Sequence, residues 1–258
     1  MTQGLTEFLP VSSSGHLVVS QHLFGLTEPQ LFLDVMLHLG TLLAILTVFR
    51  KDIWGIVNGM RRGIPGSGNS ESADIMYRRL FWLVTAATIP TAVVGLVLKD
   101  YEQSLFGSTT LVGVAFLVTG AILWCSKLAR NNTKNVDRIS IWVAVLIGLA
   151  QGLAITPGIS RSGTTISVAL LFGMDRGLAG RFSFLTAIPA IMGAAVLQLR
   201  DISAIPPEIL PAVAAGTLVA AVSGYVALKI LMRVVTGGNF SLFAYYCWGI
   251  GMVTLIFI

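Results

Sequence analysis

Acidic, amide, hydroxyl and imidazole side chains lie close together at the start of the chain. Gln3 and Glu7 are four residues apart, so on a helix they share one face and can present a carboxamide and a carboxylate oxygen to one divalent cation or water. The same spacing is typical of an ordinary polar helix face. Because a carboxylate is costly inside a membrane segment, the apolar sequence around Glu7 favours a functional role.

A run of three serines and a histidine, Ser12 to His16, follows Pro10. The pattern is typical of a loop that leads into a helix N-terminus, where free N–H groups and hydroxyls can bind an anion. Helix capping alone would use only one of the three hydroxyls. His16 is suited to act as a general acid or base, or to activate a neighbouring serine as a nucleophile, and a structural role is the alternative.

A second polar tract, Pro157 to Thr165, contains Arg161 within an apolar stretch. An arginine at membrane depth needs an anionic partner, and its planar guanidinium fits phosphate oxygens two at a time. The hydroxyls and glycines around it permit close backbone approach and indicate a phosphate cradle. The alternative is an internal pair between Arg161 and Glu7, and both pairings can hold in turn if a substrate phosphate replaces the carboxylate.

The elements that must position these residues are membrane helices. Of the 258 residues 55% are hydrophobic and 11% are charged, whereas a soluble domain has about 25% charged residues. The net charge of +5 comes from short Lys and Arg tracts between apolar runs, which indicate topology rather than nucleic-acid binding. Six apolar runs are long enough to cross a bilayer. They are 31–49, 80–98, 108–126, 178–199, 209–232 and 243–258.

Two further apolar stretches, 1–25 and 140–174, are interrupted by Pro, Gly and Ser near their middles. Broken helices at membrane depth are tolerated where they line a cavity, so we predict two re-entrant helical hairpins. The fold class is therefore an all-α integral membrane protein with about six transmembrane helices and two hairpins. Gln3 and Glu7 precede any apolar h-region, so no cleavable signal peptide is expected.

Lys and Arg are distributed unevenly between the loops, which predicts the orientation of the chain. Only one basic residue lies in each of the loops 99–107 and 200–208. The positive-inside rule then puts these two loops and both chain ends outside the cell. The predicted cytoplasmic loops, with six, four, two and two basic residues, are 50–79, 127–138, 175–181 and 229–240.

The two broken stretches resemble each other. Aligned without gaps, residues 3–15 and 151–163 are identical at six of thirteen positions, and Thr88-Ile89-Pro90 is echoed by Ala187-Ile188-Pro189. We interpret this as a duplication within one membrane domain, with repeats 1–126 and 139–258 in inverted topology. Such repeats place their site at the midplane, which would bring Glu7 to His16 against Ser160 to Thr165.

Two motifs make the chain similar to the undecaprenyl-diphosphate phosphatase family, the membrane enzymes linked to bacitracin resistance. The first, [E/Q]-x-x-x-E, is Gln3 to Glu7 and continues to His16, and the second, P-G-x-S-R-S-x-x-T, is Pro157 to Thr165. The similarity extends through Phe182-Ser183-Phe184-Leu185 and Ile188-Pro189. Family members begin with more apolar residues before the first motif, so the first hairpin is expected to lack part of an arm.

The resemblance implies hydrolysis of undecaprenyl diphosphate to the monophosphate in the bacterial inner membrane, with a Ca²⁺ or Mg²⁺ requirement and a site facing the extracytoplasmic side. A transporter or lipid flippase is the alternative, because inverted repeats with broken helices are typical of carriers. The oligomeric state is open, and a homodimer is compatible with the sequence. The resemblance implies that the catalytic residues are Glu7, Ser13, His16 and Arg161 and that the metal ligands are Gln3 and Glu7. It implies that the phosphate is bound by Ser12, Ser14, Gly158, Ser160, Arg161, Ser162 and Thr165.

Asp34 and His38, four residues apart near the start of the first long span, are the other polar pair inside an apolar segment. They are candidates either for supporting the site or for lying at the outer membrane interface. We favour the interface.

Overall fold

A computed structural model describes residues 1–23, 31–61, 71–129, 132–199 and 209–258, and the loop 200–208 lies outside these ranges. The described residues are helical apart from turns and one isolated β-bridge between Lys134 and Met174. The helices are α1 (Thr2–Phe8), α2 (Ser13–Leu23), α3 (Leu31–Val48), α4 (Arg50–Arg61), α5 (Glu71–Lys99), α6 (Glu102–Phe106), α7 (Thr109–Cys125), α8 (Ile141–Leu153), α9 (Arg161–Leu171), α10 (Arg176–Leu199), α11 (Leu210–Thr236) and α12 (Phe243–Phe257).

Five helices are long and apolar enough to cross a membrane by themselves, namely α5, α7, α10, α11 and α12. Counted with the short helical turns next to α7 and α12, these spans have 18 to 28 residues, or about 27 to 42 Å at 1.5 Å per residue, enough to cross most or all of a hydrocarbon core. A sixth candidate is α3 together with α4, which are bent by 72° relative to each other. The predicted multi-pass all-helical membrane protein is thus confirmed, with five or six candidate spans among the described residues.

Both stretches that were predicted to be broken contain two short helices. The chain turns between α1 and α2 at residues 9–12, where Ser12 has φ 64°, and between α8 and α9 at residues 154–160, where Gly158 has φ 93°. Few residues other than glycine adopt a positive φ, so the conformation of Ser12 is held by its surroundings. Its hydroxyl accepts hydrogen bonds from the N–H groups of Gly158 at 3.1 Å and Gly15 at 3.3 Å.

The two turns pack directly against each other. A Cβ on Gly15 would lie 2.9 Å from the Cα of Gly158, and one on Gly163 would lie 3.3 Å from the Cβ of Pro10. Because a side chain at Gly15 has no room, this glycine allows the two polar tracts to approach each other. The turns therefore bring the start of α2 and the start of α9 to one place.

Different long helices pack against the two hairpins. Helix α1 packs on α11, where Gly4 fits against the backbone of Ala220, and α8 packs on α5, where Gly152 fits against Val94. Helix α7 packs along α12, and α3 packs on both α10 and α11. The ring of Phe8, fully buried, lies edge-on to that of Phe184 with 5.7 Å between centroids, which fixes the end of α1 in the core.

Candidate active site

The carboxylate of Glu7, at the buried end of α1, is the centre of the candidate site. Its Oε1 accepts a hydrogen bond from Arg161 Nη2 at 2.7 Å, and its Oε2 accepts one from Gln3 Nε2 at 3.0 Å. The exposed fraction of Glu7 is 8%. A buried carboxylate needs such partners, because leaving its charge unpaired would cost several kcal/mol. The predicted pair between Arg161 and Glu7 is therefore present, and it joins the two hairpins.

Ser13 is the first residue of α2, and its hydroxyl donates to Glu7 Oε2 at 2.5 Å. The sharp turn at Ser12 directs the Ser13 side chain towards α1. A carboxylate that accepts the hydroxyl hydrogen of a serine can take its proton when the serine oxygen attacks an electrophile. Ser13 and Glu7 therefore form a nucleophile and base pair in geometric terms.

Two buried polar atoms beside Glu7 have no hydrogen-bond partner within the described part of the chain. They are Arg161 Nη1, a donor, and Gln3 Oε1, an acceptor. Buried polar groups are nearly always paired, so atoms left unpaired at a candidate site indicate where a ligand binds. The free guanidinium N–H suits a phosphate oxygen, and the amide oxygen suits a cation.

Two helix N-termini also meet at the site, since α2 begins at Ser13 and α9 begins at Arg161. The first turn of a helix has N–H groups without intrahelical acceptors and carries a partial positive charge. In α9 the hydroxyl of Ser160 accepts from Gly163 N at 3.1 Å, which caps the helix. Both helices therefore add to the positive potential of Arg161, which favours an anion.

The other predicted phosphate-binding residues support the two turns. The Ser162 hydroxyl donates to Leu9 O at 3.4 Å, and the Thr165 hydroxyl donates to Arg161 O at 2.8 Å. Ser14 shares a 3.3 Å hydrogen bond with Ser12. Direct contact of Ser12, Ser14, Gly158, Ser160, Ser162 or Thr165 with phosphate stays a prediction.

His16 lies on α2, but both of its ring nitrogens contact groups other than Ser13. Nδ1 is 2.8 Å from Ser12 O, and Nε2 is 2.7 Å from the hydroxyl of Tyr246 on α12, whose ring stacks on the imidazole with 5.8 Å between centroids. Glu7 contacts the Ser13 hydroxyl and His16 does not, so the contacts favour Glu7 over His16 as the base for Ser13. His16 therefore lies beside the site, with its two ring nitrogens on Ser12 and Tyr246.

Replacing Tyr246 with phenylalanine is expected to lower kcat about 5- to 20-fold, because the ring remains but the hydrogen bond that orients His16 is lost. The matched control is Tyr245→Phe, since Tyr245 packs against Trp124 and Trp248 instead. The effect of each substitution is measured from the initial rate of phosphate release. Equal rates for the two variants would show that Tyr246 does not position His16.

His38 also belongs to the site, contrary to our expectation that it lies at the interface. Its Nε2 is 3.7 Å from Glu7 Oε2, while its Nδ1 is hydrogen-bonded to Asp34 O at 2.7 Å. The backbone bond fixes the ring, so that the second nitrogen faces the carboxylate. Sequence spacing within α3 showed a polar pair but could not show which helix it faces.

Replacing His38 with alanine is expected to lower kcat about 3- to 10-fold, because Glu7 loses a neighbouring imidazole that pairs with the carboxylate when the ring is protonated. His38→Gln, which keeps a hydrogen-bond donor, should retain more activity than His38→Ala. His22→Ala is the control, because His22 is exposed at the end of α2. Wild-type rates for His38→Ala would exclude a positioning role.

Whether these residues fit a divalent cation is decided by the donors beside Glu7. The described residues contain no group of three or more His, Cys, Asp or Glu side chains that could hold a metal ion. They do offer the unpaired Gln3 Oε1 and the Glu7 carboxylate, and oxygen donors are what Ca²⁺ and Mg²⁺ prefer. The residues fit a cation that takes its other ligands from a substrate phosphate and water.

Comparison with known proteins gives a consistent result over nearly the whole chain. Residues 1–253 match the family described as "Bacitracin resistance protein BacA". A protein of Desulfosudis oleivorans named undecaprenyl-diphosphatase is 49% identical over 257 residues, which are 98% of this chain and 94% of that protein. Proteins of the same name from Desulforapulum autotrophicum and Carboxydothermus hydrogenoformans are 43% and 41% identical, covering 98% and 99% of this chain and 94% of each relative.

Proposed function

The chain belongs to the bacitracin resistance protein BacA family, and we infer that it is an undecaprenyl-diphosphatase. It hydrolyses undecaprenyl diphosphate to undecaprenyl phosphate and inorganic phosphate, which recycles the lipid carrier of cell-wall synthesis and confers bacitracin resistance. One structural observation supports the assignment of this activity to the site. The Glu7 carboxylate accepts hydrogen bonds both from the Ser13 hydroxyl and from the Arg161 guanidinium of the other hairpin.

In the first proposed step, the substrate diphosphate binds Arg161, whose buried Nη1 has no hydrogen-bond partner among the described residues. Glu7 accepts the proton of Ser13, and the serine oxygen attacks the terminal phosphorus. A bond forms between Ser13 Oγ and phosphorus while the bond from phosphorus to the bridging oxygen breaks. Undecaprenyl phosphate leaves with that oxygen, and positive charge from Arg161 and the two helix N-termini stabilises the transition state.

In the second step, water attacks the phosphoserine and restores the serine. Glu7, now protonated, returns its proton to the Ser13 oxygen as inorganic phosphate is released. We propose that His16, whose Nε2 lies 2.7 Å from the Tyr246 hydroxyl, exchanges the proton of the attacking water or of the departing phosphate. Direct attack of a Glu7-activated water on the diphosphate is the alternative that keeps the same residues.

We propose that Gln3 Oε1 and Glu7 hold a Ca²⁺ or Mg²⁺ ion together with the substrate. Such an ion would neutralise part of the diphosphate charge. Because Gln3 supplies a dipole rather than a charge, the site of this chain should hold the free ion weakly. The substrate phosphates then provide much of the binding.

Replacing Gln3 with glutamate should lower the cation concentration that gives half-maximal activity by about 5- to 10-fold, because a second carboxylate strengthens the attraction for a divalent ion. The measurement is a Mg²⁺ or Ca²⁺ titration of the initial rate after treatment with EDTA. Gln103→Glu serves as the control, because it adds the same charge outside the two hairpins. An unchanged midpoint for Gln3→Glu would contradict a cation at Gln3.

We also propose that residues 1–126 and 139–258 form an inverted repeat with a re-entrant hairpin and three spans in each half. Hydrogen bonds recur at equivalent positions, which supports this arrangement. Ser12 caps α2 as Ser160 caps α9. Pro10 O accepts from Cys247 of α12 at 3.4 Å, and Gly158 O accepts from Thr119 of α7 at 2.8 Å.

We propose that the protein lies in the bacterial inner membrane with the site open to the extracytoplasmic side. The distribution of Lys and Arg supports this orientation, because it places the chain end that leads into the first hairpin outside the cell, together with the loops 99–107 and 200–208. The diphosphate would then enter the polar centre while its prenyl chain remains in the bilayer.

Phosphate release from undecaprenyl diphosphate by the purified protein in detergent tests the proposed activity. We expect release that requires a divalent cation and stops on addition of EDTA. A carrier or flippase, the alternative considered above, would move the lipid across vesicles without releasing phosphate. Lipid movement without hydrolysis by the folded protein would therefore overturn the assignment.

A further inference from the structure

A second polar cavity, of about 160 Å³, lies far from the hairpin turns, where α7, α9 and α10 approach the loop after α11. Leu170, in the last turn of α9, borders it, whereas Arg161 at the other end of α9 belongs to the active site. Nine residues of helix at about 1.5 Å each separate them by roughly 14 Å. The cavity therefore opens on the opposite face, which the basic loops assign to the cytoplasm.

The charge around this cavity is positive. Arg176 and Lys127 border it, and no acidic side chain does so among the residues that the structure describes. Lys127 lies over the ring of Trp124, with Nζ 3.3 Å from the ring centroid, and the Arg176 guanidinium lies beside Gly238. Asp175, the sequence neighbour of Arg176, caps α10 by accepting from Leu178 N at 3.0 Å.

The space for the Arg176 guanidinium depends on a glycine. Gly238 has φ 82°, and a Cβ at this position would come within 2.5 Å of Arg176 Nη1. A side chain here would both strain the backbone and displace the guanidinium. Ser241, which also borders the cavity, is buried and offers a hydroxyl beside these cations. The cavity is thus lined with donors that suit phosphate oxygens.

A groove continues from the cavity, with Ala129 and Leu170 shared between the two, and Lys134 lines it together with apolar side chains. Leu128, Leu171 and Phe172 line it and are 69%, 45% and 41% exposed. Exposed apolar side chains beside a basic cavity at a membrane face match a lipid with an anionic head and a hydrocarbon tail. A free phosphate ion has no hydrocarbon chain and would not contact the apolar side chains of the groove.

We propose that this cavity and groove bind an anionic phospholipid from the cytoplasmic leaflet. The phosphate of its headgroup contacts Arg176 and Lys127, and one acyl chain lies along Leu128, Leu171 and Phe172. The lipid would bridge α7, α9 and α10 at the face opposite the active site. Basic pockets between membrane helices on this side of a bilayer are suited to such headgroups.

Native mass spectrometry of the full chain with added phosphatidylglycerol tests the proposal. We expect one tightly bound lipid, with an apparent Kd raised at least about 10-fold in Arg176→Gln and in Gly238→Ala and largely restored in Arg176→Lys. Lys51→Gln is the matched control, because Lys51 is exposed on α4 and does not border the cavity. Retained phosphate release shows that each variant is folded.

Two further ligands show whether the site recognises a whole anionic phospholipid or only a phosphate group. Phosphatidylcholine, whose headgroup has no net charge, should bind at least about 10-fold more weakly, and inorganic phosphate should not displace phosphatidylglycerol. If millimolar inorganic phosphate displaced phosphatidylglycerol, the cavity would be a general anion site, and the proposal of a lipid site would be wrong. An Arg176→Gln protein that binds phosphatidylglycerol as tightly as the wild type would overturn the proposal altogether.

Discussion

The Ser13→Ala enzyme is expected to release phosphate from undecaprenyl diphosphate at least about 10³-fold more slowly than the wild type, because removing a nucleophile eliminates the covalent route. The hydroxyl lost is the one that donates to Glu7 at 2.5 Å. Glu7 keeps its bonds from Arg161 and Gln3, so the protein should remain folded. Initial rates with saturating substrate measure the effect on kcat.

Ser20→Ala is the control for this experiment, because Ser20 lies further along α2, beyond the turn. It should be within about twofold of the wild-type rate. A Ser13→Ala enzyme that keeps more than a tenth of the activity would contradict the serine mechanism and would favour attack by a water activated by Glu7.

The second large effect is expected at Arg161, where alanine should lower kcat/KM by about 10² to 10³. Two losses add: the phosphate loses its guanidinium partner, and Glu7 is left as a buried carboxylate without its ion pair. Arg161→Lys keeps a positive charge but not the planar fork, so an intermediate rate is expected. Thermal unfolding in detergent separates the loss of stability from the loss of catalysis.

Arg181→Ala provides the matched control, since Arg181 also pairs with a carboxylate, that of Asp52 at 3.5 Å, but has a side chain that is 45% exposed. An exposed pair contributes about 0–1 kcal/mol, so activity and stability should change little. If Arg161→Ala behaved like Arg181→Ala, the guanidinium would not bind the substrate phosphate.

Much of the fold was predictable because the long helices α5, α7, α10, α11 and α12 are continuous apolar runs. Helix α4 was not predicted, since Arg50 to Arg61 mix charged, polar and apolar residues and lack a long apolar run. The start of α5 at Glu71 was missed for the same reason: its first residues are polar and precede the apolar segment. Hydropathy detects the part of a helix in the hydrocarbon core and not its polar ends.

The two broken stretches were recognisable from Pro, Gly and Ser, and the helices break in both. The similarity between Thr88-Ile89-Pro90 and Ala187-Ile188-Pro189 does not support the proposed repeat. Pro90 lies in α5, the second long helix of the first half, whereas Pro189 lies in α10, the first long helix of the second half. These prolines therefore do not occupy equivalent places in the proposed repeat.

The centre of the site was predictable because Gln3, Glu7, Ser13 and Arg161 lie in compact polar motifs. Tyr246 was missed because it is separated from His16 by 230 residues and lies in an apolar helix without a polar motif around it. Ser183, whose hydroxyl is 2.5 Å from that of Thr165, was noticed only as part of a similar motif. Such contacts arise from the packing of separate helices, which local spacing cannot reveal.

The most direct test of the account uses undecaprenyl diphosphate labelled with ³²P in its terminal phosphate. The purified enzyme is mixed with the labelled lipid and a divalent cation, and the reaction is stopped with acid within milliseconds. We predict acid-stable label on the protein, located at Ser13 by peptide mapping and absent from Ser13→Ala. Rapid release of labelled phosphate without any labelled protein, at an undiminished rate in Ser13→Ala, would contradict a site in which Glu7 activates Ser13 for attack on the phosphate held by Arg161.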